Sequence, residues 1–223
     1  MHLIVILLVS LVTIPQAFAQ GVTDQRIWLG GGVDAGLGPR VRLGARQQLR
    51  LGVDAGFDET HTQLEANFRL AAPIRIGVFY RFAVTDVEVR HRLGVDGRLQ
   101  GHFGDVTASY RLRLQETTRP SKNSDQFLVR NRGTIAVQVG KRVAPFISFE
   151  LHHQLSPKAE YRELRFELGA AWRISKKIEL EGSYIFQTES NVDAPETNHI
   201  LAASLTYHLG NLRKGDGDPG SHD

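Results

Sequence analysis

The stretch Val106-Thr107-Ala108-Ser109-Tyr110-Arg111-Leu112-Arg113-Leu114-Gln115 decides the fold. Every even-numbered residue in it is apolar, and every odd-numbered one is polar or charged. A strand turns successive side chains to opposite faces, so this pattern makes one apolar face and one polar face. A helix would smear the two sets around its circumference. The same period recurs upstream. Leu64, Ala66, Phe68 and Leu70 alternate with Glu65, Asn67 and Arg69, and Ile74, Ile76, Val78, Tyr80 and Phe82 alternate with Arg75, Gly77, Phe79 and Arg81.

Ahead of this region lies an apolar run, Leu3 to Ile14, ended by Pro15 and followed by Ala17-Phe18-Ala19. The run is shorter than the roughly 20 residues a membrane-crossing helix needs. With the small side chains Ala17 and Ala19 it reads as a secretory signal peptide over residues 1–19, cleaved before Gln20. The plainer alternative is an uncleaved anchor, since only the amino terminus and His2 supply positive charge. No later segment holds 18 apolar residues in a row, which excludes a helical membrane protein. An exported chain whose strands are apolar on one face and charged on the other reads as an all-β protein, an antiparallel transmembrane β-barrel.

Composition agrees. The chain has no Cys, and a closed ladder needs no disulfide. A net charge of +3, from 27 Lys and Arg against 24 Asp and Glu, is too small for a nucleic-acid surface. Residues 20–209 are expected to form one barrel domain, and 210–223 a disordered polar tail rich in Gly and Asp.

Alternation marks eleven candidate segments: 26–36, 40–57, 60–71, 74–84, 87–102, 105–117, 126–139, 145–154, 162–173, 178–187 and 198–209. Bacterial single-chain barrels have an even strand count, so ten or twelve strands are expected. The suspect segment is 40–57, yet its odd-position apolar phase runs straight through Gln47-Gln48, which argues against a hairpin there. Tight connections (Ala71-Ala72-Pro73, Gly140-Lys141-Arg142, Ser175-Lys176-Lys177) alternate with longer polar ones (117–125, 156–161, 188–197). Periplasmic turns and external loops alternate in this way.

Cations are segregated by type. All six Lys fall in expected turns, loops or the tail, whereas most Arg fall on the polar phase of strands. Arg suits crowded two-point ion pairs, and Lys suits water. The polar face is therefore expected to line a narrow lumen laced with Arg–carboxylate pairs. Arg130, Arg132, Glu150 and Arg165 share the inward phase of successive segments and form the candidate lumen cluster. The plain reading is that they fill the barrel; the sharper one is a slightly cationic channel favouring anions. The opposite phase carries Phe57, Phe68, Tyr80, Phe82, Phe103, Tyr110, Phe127, Phe149, Phe166, Trp172, Tyr184, Phe186 and Tyr207, as a lipid face with aromatic girdles would.

Signs of chemistry are thin. His152 and His153 are adjacent and face opposite ways in a strand, so they cannot share a metal. His91, His199 and His208 have no partner at ligand spacing. Gly30-Gly31-Gly32 lies inside a strand pattern and is no phosphate loop. Ser109, Ser148 and Ser204 are the only serines worth weighing as nucleophiles, and no local motif supports them. No catalytic, cofactor-binding or metal residue is assigned, and no cofactor is expected.

The C-terminal half carries Phe127-Leu128-Val129-Arg130-Asn131-Arg132, then Ala144-Pro145-Phe146-Ile147-Ser148-Phe149-Glu150-Leu151. Tyr161-Arg162, Arg165 with Gly169, Gly182-Ser183-Tyr184 and His199-Ile200-Leu201 follow. In order and spacing these resemble a family of uncharacterised bacterial proteins, a domain of unknown function regarded as outer-membrane β-barrels. The resemblance implies a Gram-negative outer-membrane barrel and no known activity.

The leading expectation is a porin-like outer-membrane barrel, structural or weakly conducting. Its expected partners are outer-membrane lipid and the barrel-assembly machinery, with no nucleic acid, and it is expected to be a monomer. The alternatives are a lipid-modifying barrel enzyme and an exported soluble ligand-binding barrel, the latter with apolar residues inside and charges outside.

Overall fold

The computed structural model describes residues 22–54, 56–119, 124–192 and 195–211. The expected cleavage site at Ala17 and Ala19 and the tail beyond Asn211 lie outside the described residues. Among those residues the chain forms eleven strands. They are β1 (Val22–Gly36), β2 (Val41–Gly52), β3 (Gly56–Arg69), β4 (Ile74–Thr85), β5 (Val89–Phe103) and β6 (Val106–Arg119), then β7 (Ser124–Val137), β8 (Val143–Ser156), β9 (Glu160–Arg173), β10 (Ile178–Glu189) and β11 (Glu196–Asn211). Each is hydrogen-bonded to its sequence neighbour, and β1 pairs with β11, so the sheet closes on itself.

The strand count departs from the expected even number. With eleven strands the first and last run the same way, so the closing seam is parallel, from Val22↔Glu196 to Asp34↔His208. The other neighbouring pairs are antiparallel. A parallel ladder has slanted bonds but satisfies the same groups, so no edge is left open. The 40–57 segment is one strand followed by a turn. β2 passes through Gln47-Gln48 unbroken, opposite Gly31 and Gly30. The chain then reverses at Val53-Asp54, and Gly56 begins β3 with φ +75°, a left-handed value that glycine adopts freely. A bulge follows at Arg50/Leu51, so Leu51 and Phe57 share the outer face across the hairpin. The odd-position phase therefore continued past the turn and hid it. At the other end, β11 runs through Gly210 to Asn211, a little past the expected end at 209.

The two faces sort as the alternation requires. Leu64, Val78, Leu93, Val95, Ile135 and Phe149 are exposed on the outside, while Glu59, Gln63, Asp96, Arg113, Arg130 and Glu150 are buried inside. This is a water-soluble barrel turned inside out, and only a lipid surround stabilises it. The protein is a transmembrane β-barrel. Outward aromatics gather toward both strand ends: Phe68, Phe103, Trp172 and Tyr207 at one, Phe57, Phe82, Phe127 and Phe186 at the other. Interface girdles have this distribution.

The three tight turns and the three longer connections lie at opposite ends of the barrel, as expected. The longer ones are shorter than the sequence implied, because the ladder continues into them at Thr118↔Asp125 and Gln154↔Glu160. The described lysines, Lys141, Lys158, Lys176 and Lys177, all lie in turns, and Lys122 and Lys214 fall outside the described residues.

Candidate functional site: the charged lumen

Strand alternation delivers the inward side chains, and cross-strand register decides which of them meet. Arg130 on β7 grips Glu150 on β8 at two points, Nε to Oε1 at 3.1 Å and Nη2 to Oε2 at 2.9 Å. Arg111 on β6 donates a third bond to Glu150, at 2.8 Å. The candidate cluster is thus divided by geometry. Arg132 lies opposite Glu150 in register but bonds to Glu167 at 2.8 Å and to the Ser148 hydroxyl at 2.9 Å. Arg165, also opposite Glu150, pairs instead with Glu163. His152 links the two halves, with Nδ1 3.2 Å from Glu163 and Nε2 3.6 Å from Glu150. All four expected residues still line one cavity of about 200 Å3, together with Trp28 and Glu181.

Sequence reasoning missed three inward aromatics and the ion pair beside one of them. Trp28 is buried with Ile185 and Ile200 in an apolar patch on the inner wall. The guanidinium carbons of Arg50 and Arg165 lie 4.1 and 5.4 Å from the centre of its ring. Phe79 is only 2% exposed, with the Arg113 guanidinium 3.9 Å from its ring centre. Arg113 in turn forks onto Asp96, at 2.5 and 2.7 Å. A cation over an aromatic face is attracted to it, more strongly when both are out of water. Phe79 and Phe146 each stand directly opposite a glycine, Gly94 and Gly169. A Cβ added at Gly94 would sit 2.5 Å from the Phe79 ring, and one at Gly169 2.7 Å from the Phe146 ring. The rings lie across the glycines and fill space that other residues would occupy. The signal for these contacts was present in the alternation, since Phe79 and Gly94 both fall on the polar phase.

Further ion pairs line the wall. Arg46 reaches Asp34 and Glu65 at 3.2 and 3.3 Å. Glu59 accepts from Arg50 at 3.1 Å and lies 2.9 Å from His61 Nδ1. Of the candidate serines, Ser148 is buried, accepts from Arg132 and donates to Glu167, so its hydroxyl is engaged by the ion-pair network instead of by a histidine base. Two outward histidines lie against tyrosine hydroxyls: His91 is 2.7 Å from that of Tyr80, and His199 is 2.5 Å from that of Tyr184. His152 faces in and His153 out, as adjacent strand residues must.

No curated protein matches the chain. Among solved structures, a bacterial polysaccharide outer membrane secretin is 11% identical with a TM-score of 0.51, over 72% of this chain and 62% of that one. The chain therefore spans less than two thirds of that protein, and the likeness shows a shared barrel fold. A KdgM porin (12% identity, TM-score 0.46, 72% of this chain and 82% of that one) is also similar. So is a KdgM porin in complex with disordered oligogalacturonate (13%, 0.46, 75% and 91%). The family model described as "Protein of unknown function (DUF2490)" matches residues 25–198, and the chain belongs to that family.

Proposed function

We propose that the protein is an integral outer-membrane barrel whose lumen is packed rather than open, structural or at most weakly conducting. One observation carries this reading. Inward side chains meet across the lumen lining, where Trp28 on β1 stands against Arg50 of the neighbouring β2 and Arg165 of β9, three strands away around the barrel. The cavity beside Trp28 holds only about 200 Å3. The outer face supports a lipid setting, and the absence of an open sheet edge supports a monomer as the working unit. Outer-membrane lipid and the barrel-assembly machinery are the partners this reading requires. A soluble ligand-binding barrel would need the opposite arrangement of apolar and charged faces.

The test is fractionation followed by planar-bilayer recording. The protein should co-sediment with outer membrane, migrate faster unheated than boiled, and give no porin-sized conductance steps. Trp28→Ala, which removes the bulky ring between the two arginines, should raise conductance while keeping the heat-modifiable migration. Large, steady conductance of the wild type would overturn the packed-lumen reading.

A further inference from the structure

We propose that one mouth of the barrel is a binding vestibule for a soluble polyanion, a solute carrying several carboxylate or phosphate groups a few ångströms apart. The proposal rests on the transmembrane reading, because that reading turns these residues inward. The site is a run of arginines in continuous cross-strand register. Arg69 on β3 stands opposite Arg75 on β4, and Arg75 opposite Arg98 on β5. Arg98 stands opposite Arg111 on β6, and Arg111 opposite Arg132 on β7. Arg42 on β2 flanks the outer end of this row, opposite Asn67. The row starts at the last residue of β3 and ends in mid-strand on β7, so it leads from the mouth into the lumen. Exposure follows the same course: Arg42 and Arg69 are exposed, Arg75 and Arg98 half-buried.

Facing like charges destabilise a sheet, and neighbouring strands are only about 4.8 Å apart. Farther along the row the chain neutralises such charges. Arg111 has Glu150 and Arg132 has Glu167. At the mouth it does not. Among the described residues no carboxylate lies within 4.0 Å of Arg42, Arg69 or Arg75, and Arg98 reaches only Asp96, at 3.6 Å, which Arg113 already holds at two points. The opposite mouth shows the contrast: Arg26, Arg90, Arg119 and Arg162 each have an acidic partner there. Arg81 and Arg92, which also face each other, take Gln63 and Thr117 as partners instead of a carboxylate.

Guanidinium forks match carboxylate and phosphate oxygens in pairs, and a row of them spaced by strand separation matches an anion with repeated acid groups. Lipid headgroups are the wrong occupant. The arginines lie on the lumen phase, while their sequence neighbours Phe68, Ile74, Ile76 and Leu99 take the lipid face. The Arg111–Glu150–Arg130 knot lies at the inner end of the row, so an anion entering from the mouth meets neutralised charge there and is held among the outer arginines.

The experiment is titration of the purified barrel, in neutral detergent at fixed ionic strength, with tripolyphosphate. Calorimetry and the melting temperature are read together. Wild type should bind saturably and melt higher with ligand. The double variant Arg69→Gln/Arg75→Gln should lose at least about tenfold in affinity, as expected for removing charge-assisted bonds. Its unliganded melting temperature should not fall, because the change relieves repulsion. Lys176→Gln/Lys177→Gln, in a turn at the same end, should leave affinity within about twofold, since exposed single charges contribute little. The vestibule is overturned by any of three results: no saturable binding, equal loss in the lysine variant, or a response only to phosphatidylglycerol nanodiscs. Each variant is first checked for heat-modifiable migration, so failure of binding in an intact barrel sinks the vestibule and leaves the packed-lumen reading standing.

Discussion

Arg130 bypasses His152, the residue directly across from it in the ladder, and closes a two-point bond on Glu150. Glu150 also holds Arg111, so one buried carboxylate neutralises two arginines from two strands. Glu150→Ala strands both cations in a confined space and should cost about 3–5 kcal/mol of barrel stability. Arg130→Ala leaves Glu150 still bonded to Arg111 and should cost less, about 1–3 kcal/mol. Denaturant unfolding in detergent or lipid ranks the two, and equal or reversed losses would remove Glu150 from the centre of the network.

The lipid face should reject charge according to depth. Leu112 is exposed on the outer surface in the middle of β6, and Leu112→Arg should cost roughly 2–4 kcal/mol. Leu180 stands beside Trp172 near the end of β10, so Leu180→Arg should cost about 0–1 kcal/mol. Lys176→Arg, in a turn, should have almost no effect. A harmless Leu112→Arg would show that the faces have been assigned the wrong way round.

Phe79 stands opposite Gly94, where an added Cβ would sit 2.5 Å from the ring and 2.6 Å from the Leu114 carbonyl oxygen. Gly94→Val should expel the ring, disturb the Arg113–Asp96 pair behind it and destabilise the barrel by about 1–3 kcal/mol. Gly97→Ala is the comparison, because an added Cβ there meets nothing within 4 Å. Thermal unfolding of both variants checks this, and similar melting temperatures would show that the Phe79 contact contributes little.

The alternation of 106–115 and its counterparts made the strands and their faces legible, because a barrel buries one side of every strand and a period of two survives any loop error. The strand number was harder to settle. The evenness rule argued against eleven, yet chain continuity through Gln47-Gln48 and the parallel β1–β11 seam gave eleven. Inward charge was legible as a class, but individual partners were not. Arg132 and Arg165 both stand opposite Glu150, yet Arg132 reaches across β8 to Glu167 on β9, and Arg165 turns along β9 to Glu163. Phase fixes only the face a residue takes, and rotamers then choose among carboxylates a few ångströms apart. The arginine row from Arg69 to Arg132 was invisible for another reason. It takes one residue from each of five consecutive strands, and only the register aligns them.

The central claim is that apolar residues face lipid and charged residues face a water-poor lumen. The chain has no Cys, so single cysteines can be placed one at a time along β6 at 110–115 and spin-labelled in lipid vesicles. Collision rates with oxygen, which concentrates in the bilayer, should rise at 110, 112 and 114 and fall at 111, 113 and 115. A flat profile, or high values at 111, 113 and 115, would contradict the account.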